Sequence, residues 1–166
     1  FTLVDSIPSI IGDDTKLFEQ MYREWAELFI RRYGEKVAVW EVWNEPDSKP
    51  YALKDDRDIF ALRTVYELRN RYCPGSAVIT STHAGAGFDY LARILQKGAG
   101  RYLDGIGLHP YRSLAPETPE VDAYTGNPSG MSTLLTSLAQ ARKLLESHGV
   151  DPPHVYVTEV NYALNL

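Results

Sequence analysis

The chain of 166 residues carries a formal net charge of −5, and 44% of its residues are hydrophobic. An acidic chain without a basic stripe argues against nucleic acid as a partner. No apolar run reaches the ~18–20 residues that a membrane span needs, so no membrane partner is expected. The single cysteine, Cys73, excludes an internal disulfide framework. No signal-peptide pattern opens the chain, and secreted and cytoplasmic locations both remain open.

The first segments predict a strand followed by a helix. Residues 1–4 are strand-like, and the acidic pair Asp13 and Asp14 then caps a helix that ends near Tyr33. The apolar residues of this helix recur at spacings of three and four: Phe18, Met21, Tyr22, Trp25, Leu28 and Phe29.

The remainder of the chain repeats this alternation. Strands are predicted over residues 37–43, 77–81, 104–109 and 155–159, and helices lie between them. The helix after residue 55 is predicted to end before Cys73 and carries one stripe of larger side chains: Ile59, Leu62, Tyr66 and Arg69. Residues 116–130 are rich in proline, glycine and acidic side chains, which predicts a long surface loop.

Strands that alternate with helices, and that are almost continuously apolar, predict an α/β fold with a parallel sheet and right-handed crossovers. About five strands are expected in one segment that covers residues 1–166. The alternation alone is compatible with an open doubly wound sheet and with part of a barrel, so the choice between them depends on the chemistry.

The junction at residues 40–47 is the most informative part of the chain. A strand that ends at Trp43 passes without a linker into Asn44, Glu45 and Pro46. Because proline donates no ladder hydrogen bond, the strand has to stop there. The residue before a proline favours an extended backbone, which predicts an extended Glu45. A carboxylate beside a tryptophan at the carboxyl end of a strand is a candidate general acid.

A second carboxylate, Glu159, ends the last predicted strand. In a flat sheet the ends of the first and fourth of these strands would lie roughly 14 Å apart, from ~4.8 Å per strand step. In a small barrel both side chains can point into one mouth. Either glutamate alone is more typical of a helix cap or a solvated charge. Two carboxyl groups that face each other across a pocket are the smallest set of catalytic groups that cleaves a glycosidic bond.

Residues 40–47, Trp-Glu-Val-Trp-Asn-Glu-Pro-Asp, resemble the strand-four signature of clan A glycoside hydrolases, which are retaining (β/α)₈-barrel glycosidases. Within that clan the residue pattern is most similar to that of family 39, which includes β-xylosidases. The resemblance extends from strand three to strand seven of the barrel, with residues 157–159 at the end of strand seven. His109-Pro110-Tyr111 resembles the His-x-Tyr that often ends strand six.

The resemblance implies a role for each matching residue. Glu45 corresponds to the acid/base, which protonates the leaving oxygen and later deprotonates water, and Glu159 corresponds to the nucleophile. Asn44 is expected to bind the sugar 2-hydroxyl. Tyr111 is expected to orient Glu159, and His109 to hold a substrate hydroxyl or a neighbouring side chain.

Two further residues are candidate substrate contacts, Trp43 beside the acid/base and His83 after the third predicted strand. Glu41, on the strand before Glu45, is expected to point deeper into the barrel toward a buried partner such as an arginine. The predicted substrate is an oligosaccharide or a glycoside.

Other site classes find little support in the sequence. Residues 83–87 contain a Gly-x-Gly between a strand and a helix, but Tyr90 stands where a dinucleotide fingerprint needs glycine. The four histidines lack metal-ligand spacing, and there is no Gly-x-Ser-x-Gly esterase elbow. No cofactor and no metal are therefore predicted.

Two functional hypotheses remain open, a retaining glycosidase and a carbohydrate-binding or catalytically inactive barrel fragment. The intact Asn44, Glu45 and Glu159 favour the first. Barrel strands one, two and eight have no counterpart in these residues, and an arc of five strands would expose apolar edges. We therefore expect the sheet to be completed by the remainder of a barrel or by self-association.

Overall fold

The computed structural model describes residues 11–47, 53–82, 88–109 and 134–159, and the predicted first strand at residues 1–4 lies outside them. Four helices and four strands alternate in these ranges. In chain order they are α1 (Thr15–Tyr33), β1 (Val39–Glu41), α2 (Asp55–Tyr72), β2 (Ala77–Thr82), α3 (Phe88–Gln96), β3 (Gly105–Leu108), α4 (Leu134–Ser147) and β4 (His154–Val157). Two short 3₁₀ turns, Gly34–Lys36 and Ala99–Tyr102, connect helices to strands.

The four strands form one parallel sheet in the order β1-β2-β3-β4. Val39 pairs with Ala77, Ile79 with Gly105, and Gly105 with His154. Strand order that follows chain order without a reversal is the winding of a barrel, whereas a doubly wound sheet reverses at a switch point. The predicted α/β class and the partial (β/α)₈ barrel are therefore confirmed.

Helix α1 begins and ends where its sequence predicts. The Asp14 carboxylate accepts a hydrogen bond from the backbone N–H of Leu17 at 3.0 Å, which satisfies one of the free donors of the first turn. The helix buries one stripe against the sheet and α2: Phe18, Tyr22, Ala26 and Ile30. Met21 and Leu28 were predicted on this stripe but are 38% and 63% exposed. The buried stripe follows a strict four-residue spacing, which leaves these two side chains on its flanks.

Helix α2 ends at Tyr72, directly before Cys73, as predicted. Its Arg69 is buried and donates from Nη2 to the Asp104 carboxylate at 2.8 Å, and that carboxylate also accepts the backbone N–H of Val78. The pair fixes α2 to the amino ends of β2 and β3. Cys73 is a buried free thiol.

Strand β1 is shorter than the predicted span of residues 37–43. Its ladder continues for one hydrogen bond beyond Glu41, from the Val42 N–H to the Ile79 carbonyl at 3.0 Å. The next carbonyl, that of Val42, accepts instead from the hydroxyl of Tyr22 on α1 at 3.2 Å, and the carbonyl of Trp43 accepts from the hydroxyl of Ser81 at 2.7 Å. The regular ladder ends here because side-chain hydroxyls replace the backbone partners.

Candidate active site

The polar residues of the site follow the carboxyl ends of three strands. Glu45 comes after β1, His109 directly after β3, and Glu159 after β4. Parallel strands place their carboxyl ends at the same edge of the sheet, so three segments far apart in the chain meet there.

His109 lies at the centre of this edge and is fully buried. Its Nδ1 is 3.0 Å from Oε1 of Glu45, and its Nε2 is 3.2 Å from Oε1 of Glu41. The same Nε2 lies 3.8 Å from Oε1 of Glu159. The two glutamates predicted as the catalytic pair therefore lie beside one imidazole.

The neighbouring glutamates change the pKa of the His109 imidazole. Burial by itself lowers the pKa of His109, but hydrogen bonds to Glu41 and Glu45 and the charge of Glu159 outweigh the burial, so the pKa is raised above its ordinary value of 6.5. A protonated ring donates from both nitrogens, from Nδ1 toward Glu45 and from Nε2 toward Glu41.

Glu41 forms the floor of the site and is buried, as its position on β1 predicts. Besides His109, its Oε1 accepts a hydrogen bond from the Thr158 hydroxyl at 3.3 Å. Among the described residues its partners thus include a histidine and a threonine. Gly107 leaves the necessary space, because a Cβ there would lie 2.8 Å from the Thr158 hydroxyl and 3.1 Å from Glu41.

Glu45 and Glu159 differ in their surroundings. The Glu45 side chain is 11% exposed, whereas that of Glu159 is 39% exposed. Glu45 is thus held largely within protein, and Glu159 stands at the open side of the edge where a ligand can reach it.

The backbone of Glu45 contradicts the prediction of an extended residue. Its φ is +44°, in the left-handed region, and no other non-glycine residue in the described ranges has a positive φ. The bias that Pro46 imposes is overcome by local hydrogen bonds: the Glu45 N–H donates to the Ser81 hydroxyl at 3.0 Å, and that hydroxyl donates to Trp43. Sequence reasoning missed Ser81, because a serine within a strand carries no sign of a contact 36 residues away.

Trp43 does not line the site as predicted. It is 1% exposed and packs against α1, with its ring centroid 6.3 Å from those of Phe18 and Tyr22. Strand β1 ends at Glu41, so the alternation of its side chains does not extend to Trp43. The tryptophan belongs to the core between sheet and helix.

Asn44 lies beside Glu45 and is partly buried, and its Oδ1 makes no hydrogen bond to any residue in the described ranges. The other two candidate substrate contacts, His83 and Tyr111, lie outside the described residues. No group of three or more metal-ligating side chains within the described ranges is arranged to hold a metal ion. None of the helices described there is long and apolar enough to cross a membrane.

The chain matches no protein-family model and no curated protein. Among solved structures it is similar to a GH10 xylanase from Thermobacillus composti, with 20% identity and a TM-score of 0.61 over 98% of this chain and 48% of that one. It is also similar to a family 39 glycoside hydrolase from the gut symbiont Bacteroides cellulosilyticus WH2, with 26% identity and a TM-score of 0.64 over 86% of this chain and 30% of that one. A GH10 structure from Paenibacillus barcinonensis gives 18% identity and a TM-score of 0.56 over 89% and 44% of the two chains.

These likenesses confirm the resemblance to clan A glycoside hydrolases that residues 40–47 indicate. The chain spans less than half of the length of each of these three structures.

Proposed function

We propose that this chain carries the catalytic pair of a glycoside hydrolase that cleaves O-glycosidic bonds with retention of configuration. The observation that supports it most directly is the placement of Glu45 and Glu159 on either side of His109, with separations of 3.0 and 3.8 Å from its two ring nitrogens. Two carboxyl groups at one strand edge can act on opposite sides of an anomeric carbon.

In the first step the Glu159 carboxylate attacks the anomeric carbon and forms a glycosyl ester. The bond from that carbon to the leaving oxygen breaks, and Glu45 transfers its proton to the oxygen. The exposure of Glu159 suits the nucleophile, because it must contact the sugar. The enclosure of Glu45 suits the acid/base, because the contact with Nδ1 of His109 holds its carboxyl in a fixed place from which a proton can pass to the leaving oxygen.

In the second step water attacks the same carbon, Glu45 accepts a proton from the water, and the ester bond to Glu159 breaks. Glu45 is then acidic again and Glu159 is ionised, so the cycle closes. His109 holds the Glu45 carboxyl by the contact from Nδ1, and Glu41 holds the opposite side of the ring.

Asn44 is proposed to bind the sugar 2-hydroxyl, since its amide oxygen is not used by the described protein groups. The substrate is proposed to be an oligosaccharide or a glycoside, with a xyloside as the first sugar to test. Tyr111 and His83 stay predictions as substrate contacts.

Trapping with activated 2-deoxy-2-fluoro glycosides tests the nucleophile. The protein in its natural length is incubated with xylosyl, glucosyl, galactosyl and arabinosyl reagents, digested, and mapped by mass spectrometry. Label on Glu159 is expected, and the fastest reagent identifies the sugar class. Glu159→Gln should abolish labelling, whereas Glu146→Gln on the exposed face of α4 should label normally. Label on another residue would overturn the assignment, and saccharide binding without label or turnover would favour a binding module.

Azide distinguishes the roles of the two glutamates. With an activated substrate, Glu45→Ala should form a glycosyl azide of retained configuration, since azide replaces water in the second step without needing a base. Glu159→Ala should form the inverted azide, because azide then occupies the place of the missing nucleophile. The reverse pattern would exchange the two assignments.

A further inference from the structure

Ser81 is a buried serine at the end of β2 whose hydroxyl serves two backbone groups of the β1 loop. It donates to the Trp43 carbonyl at 2.7 Å and accepts from the Glu45 N–H at 3.0 Å. One hydroxyl thus bridges the residues on either side of Asn44, and it uses both its donor and its acceptor capacity.

The residue that this bridge holds is the one with an uncommon backbone. A φ of +44° is a conformation that side chains other than glycine rarely adopt, and such residues persist where their surroundings fix them. On the far side, the carbonyl of Pro46 accepts the Leu53 N–H at 2.8 Å. The turn at Glu45 is therefore held from β2 on one side and, through Pro46, from the residues just before α2 on the other.

We propose that Ser81 is a positioning residue for the acid/base. Its hydroxyl holds the left-handed turn at Glu45 and so directs the Glu45 carboxyl toward His109 and the leaving oxygen. The proposal rests on the proposed function, since it assigns Ser81 to a glutamate whose role is itself proposed.

The turn matters because the direction of a side chain follows from its backbone. Without the hydroxyl, the Glu45 N–H and the Trp43 carbonyl lose a partner each, and the residue is free to return to the extended backbone that Pro46 favours. Its carboxyl would then leave Nδ1 of His109. A general acid that is out of reach of the leaving oxygen no longer assists bond cleavage.

The test compares two leaving groups on the same sugar. Departure of 2,4-dinitrophenolate needs no proton, whereas departure of a methoxyphenol or an alcohol does. Ser81→Ala should lower kcat/KM for the poor leaving group by about 10–100-fold, part of the 10²–10⁴-fold effect of general acid catalysis. The dinitrophenyl substrate should lose less than about threefold, and the alkaline limb of the pH profile, which reports ionisation of the general acid, should weaken for the poor leaving group. Ser81→Thr, which keeps the hydroxyl, should restore most of the loss.

Ser76→Ala is the matched control. Ser76 is also buried next to β2, at its opposite end, and its hydroxyl donates to the Cys73 carbonyl at 3.0 Å. If both alanine variants slow the two substrates to the same degree, Ser81 has only a structural role and the proposal is wrong.

Glu45→Ala in the same assay distinguishes a failure of the role proposed for Ser81 from a failure of the proposed function. If it shows leaving-group selectivity and Ser81→Ala does not, only the role of Ser81 fails. If Glu45→Ala lacks the selectivity, the proposed function fails. A crystal structure of Ser81→Ala decides the geometry independently of turnover: a Glu45 that leaves the left-handed region supports the proposal, and one that stays there beside His109 overturns it.

Discussion

Nδ1 of His109 lies 3.0 Å from Oε1 of Glu45, so a residue after β3 holds a carboxyl that follows β1, two strands away. The separation along the chain is 64 residues. The contact needs both side chains to point into the same concave face, which the winding of the sheet in one direction provides.

His109 should stabilise the fold more at pH 6 than at pH 9. Its raised pKa means that the folded state binds a proton more tightly than the unfolded chain does. This stabilisation is complete below the unfolded value of about 6.5 and is lost as the pH rises through the raised folded value. His109→Gln should cost about 1–3 kcal/mol at pH 6, the range for losing buried hydrogen bonds, and less at pH 9.

Urea unfolding of both forms at the two pH values measures this difference. The exposed His154→Gln is the control and should leave the free energy of unfolding nearly unchanged. An equal loss at pH 6 and pH 9 for His109→Gln would show that the ring is not charged in the folded state.

Asp58 should make the fold less stable as the pH rises from about 4 to about 7. Burial raises its pKa to about 7, the charges of Asp55 and Asp47 act in the same direction, and the hydrogen bond from the Tyr90 hydroxyl opposes them. Since the folded state keeps a proton that the unfolded chain has lost, ionisation of Asp58 costs at most about 4 kcal/mol above pH 7.

Asp58→Asn tests this dependence, because an amide can still accept from Tyr90 and does not ionise. The variant should be as stable as the wild type at pH 4 and more stable at pH 8. Asp56→Asn, at a side chain that is 91% exposed, should follow the wild-type curve. Parallel curves for Asp58→Asn and the wild type would contradict the prediction.

Trp43 should contribute to stability and not to substrate binding. Trp43→Ala should cost about 3–5 kcal/mol, the range for removing a large aromatic side chain from a core. Trp43→Phe should lower Tm while leaving KM unchanged, since the side chain packs on Phe18 and Tyr22 of α1. Asn44→Ala is the opposite case, with a lower kcat/KM and a small change in Tm. A raised KM for Trp43→Phe would restore Trp43 as a substrate contact.

The 166 residues expressed alone should self-associate through the β4 edge. In the described sheet β4 pairs only with β3, and Val157 on it is 43% exposed. Parallel edges with apolar side chains accept further strands. Val157→Lys should shift the protein toward monomer in light scattering coupled to size exclusion. Leu28→Lys, at a position on α1 that is 63% exposed, should not. A monomeric wild-type fragment would refute this expectation.

Predictions that rest on local signals agree with the structure, whereas those for Glu45 and Trp43 fail because residues distant in the chain set their surroundings. The cap at Asp14, the end of α2 before Cys73 and the strand–helix alternation follow from local propensities, and the structure reproduces them. The extended Glu45 was wrong because hydrogen bonds to Ser81 overcome the preference that Pro46 imposes. Trp43 was predicted as a substrate contact from its place beside Glu45, but it packs against α1. Strand β1 ends at Glu41, the hydroxyls of Tyr22 and Ser81 take the carbonyls of Val42 and Trp43, and no local pattern reveals such partners.

Capping, hydrophobic periodicity and a proline after a glutamate are local signals, so the elements, the parallel class and the candidate pair Glu45 and Glu159 can be predicted from the amino acids alone. The winding of the sheet in one direction, the position of His109 beside both glutamates and the contact of Ser81 with the backbone of Glu45 depend on how the strands assemble. These relationships join strands that are distant in the chain, and they exist only once parallel pairing has brought the carboxyl ends of the strands to one edge.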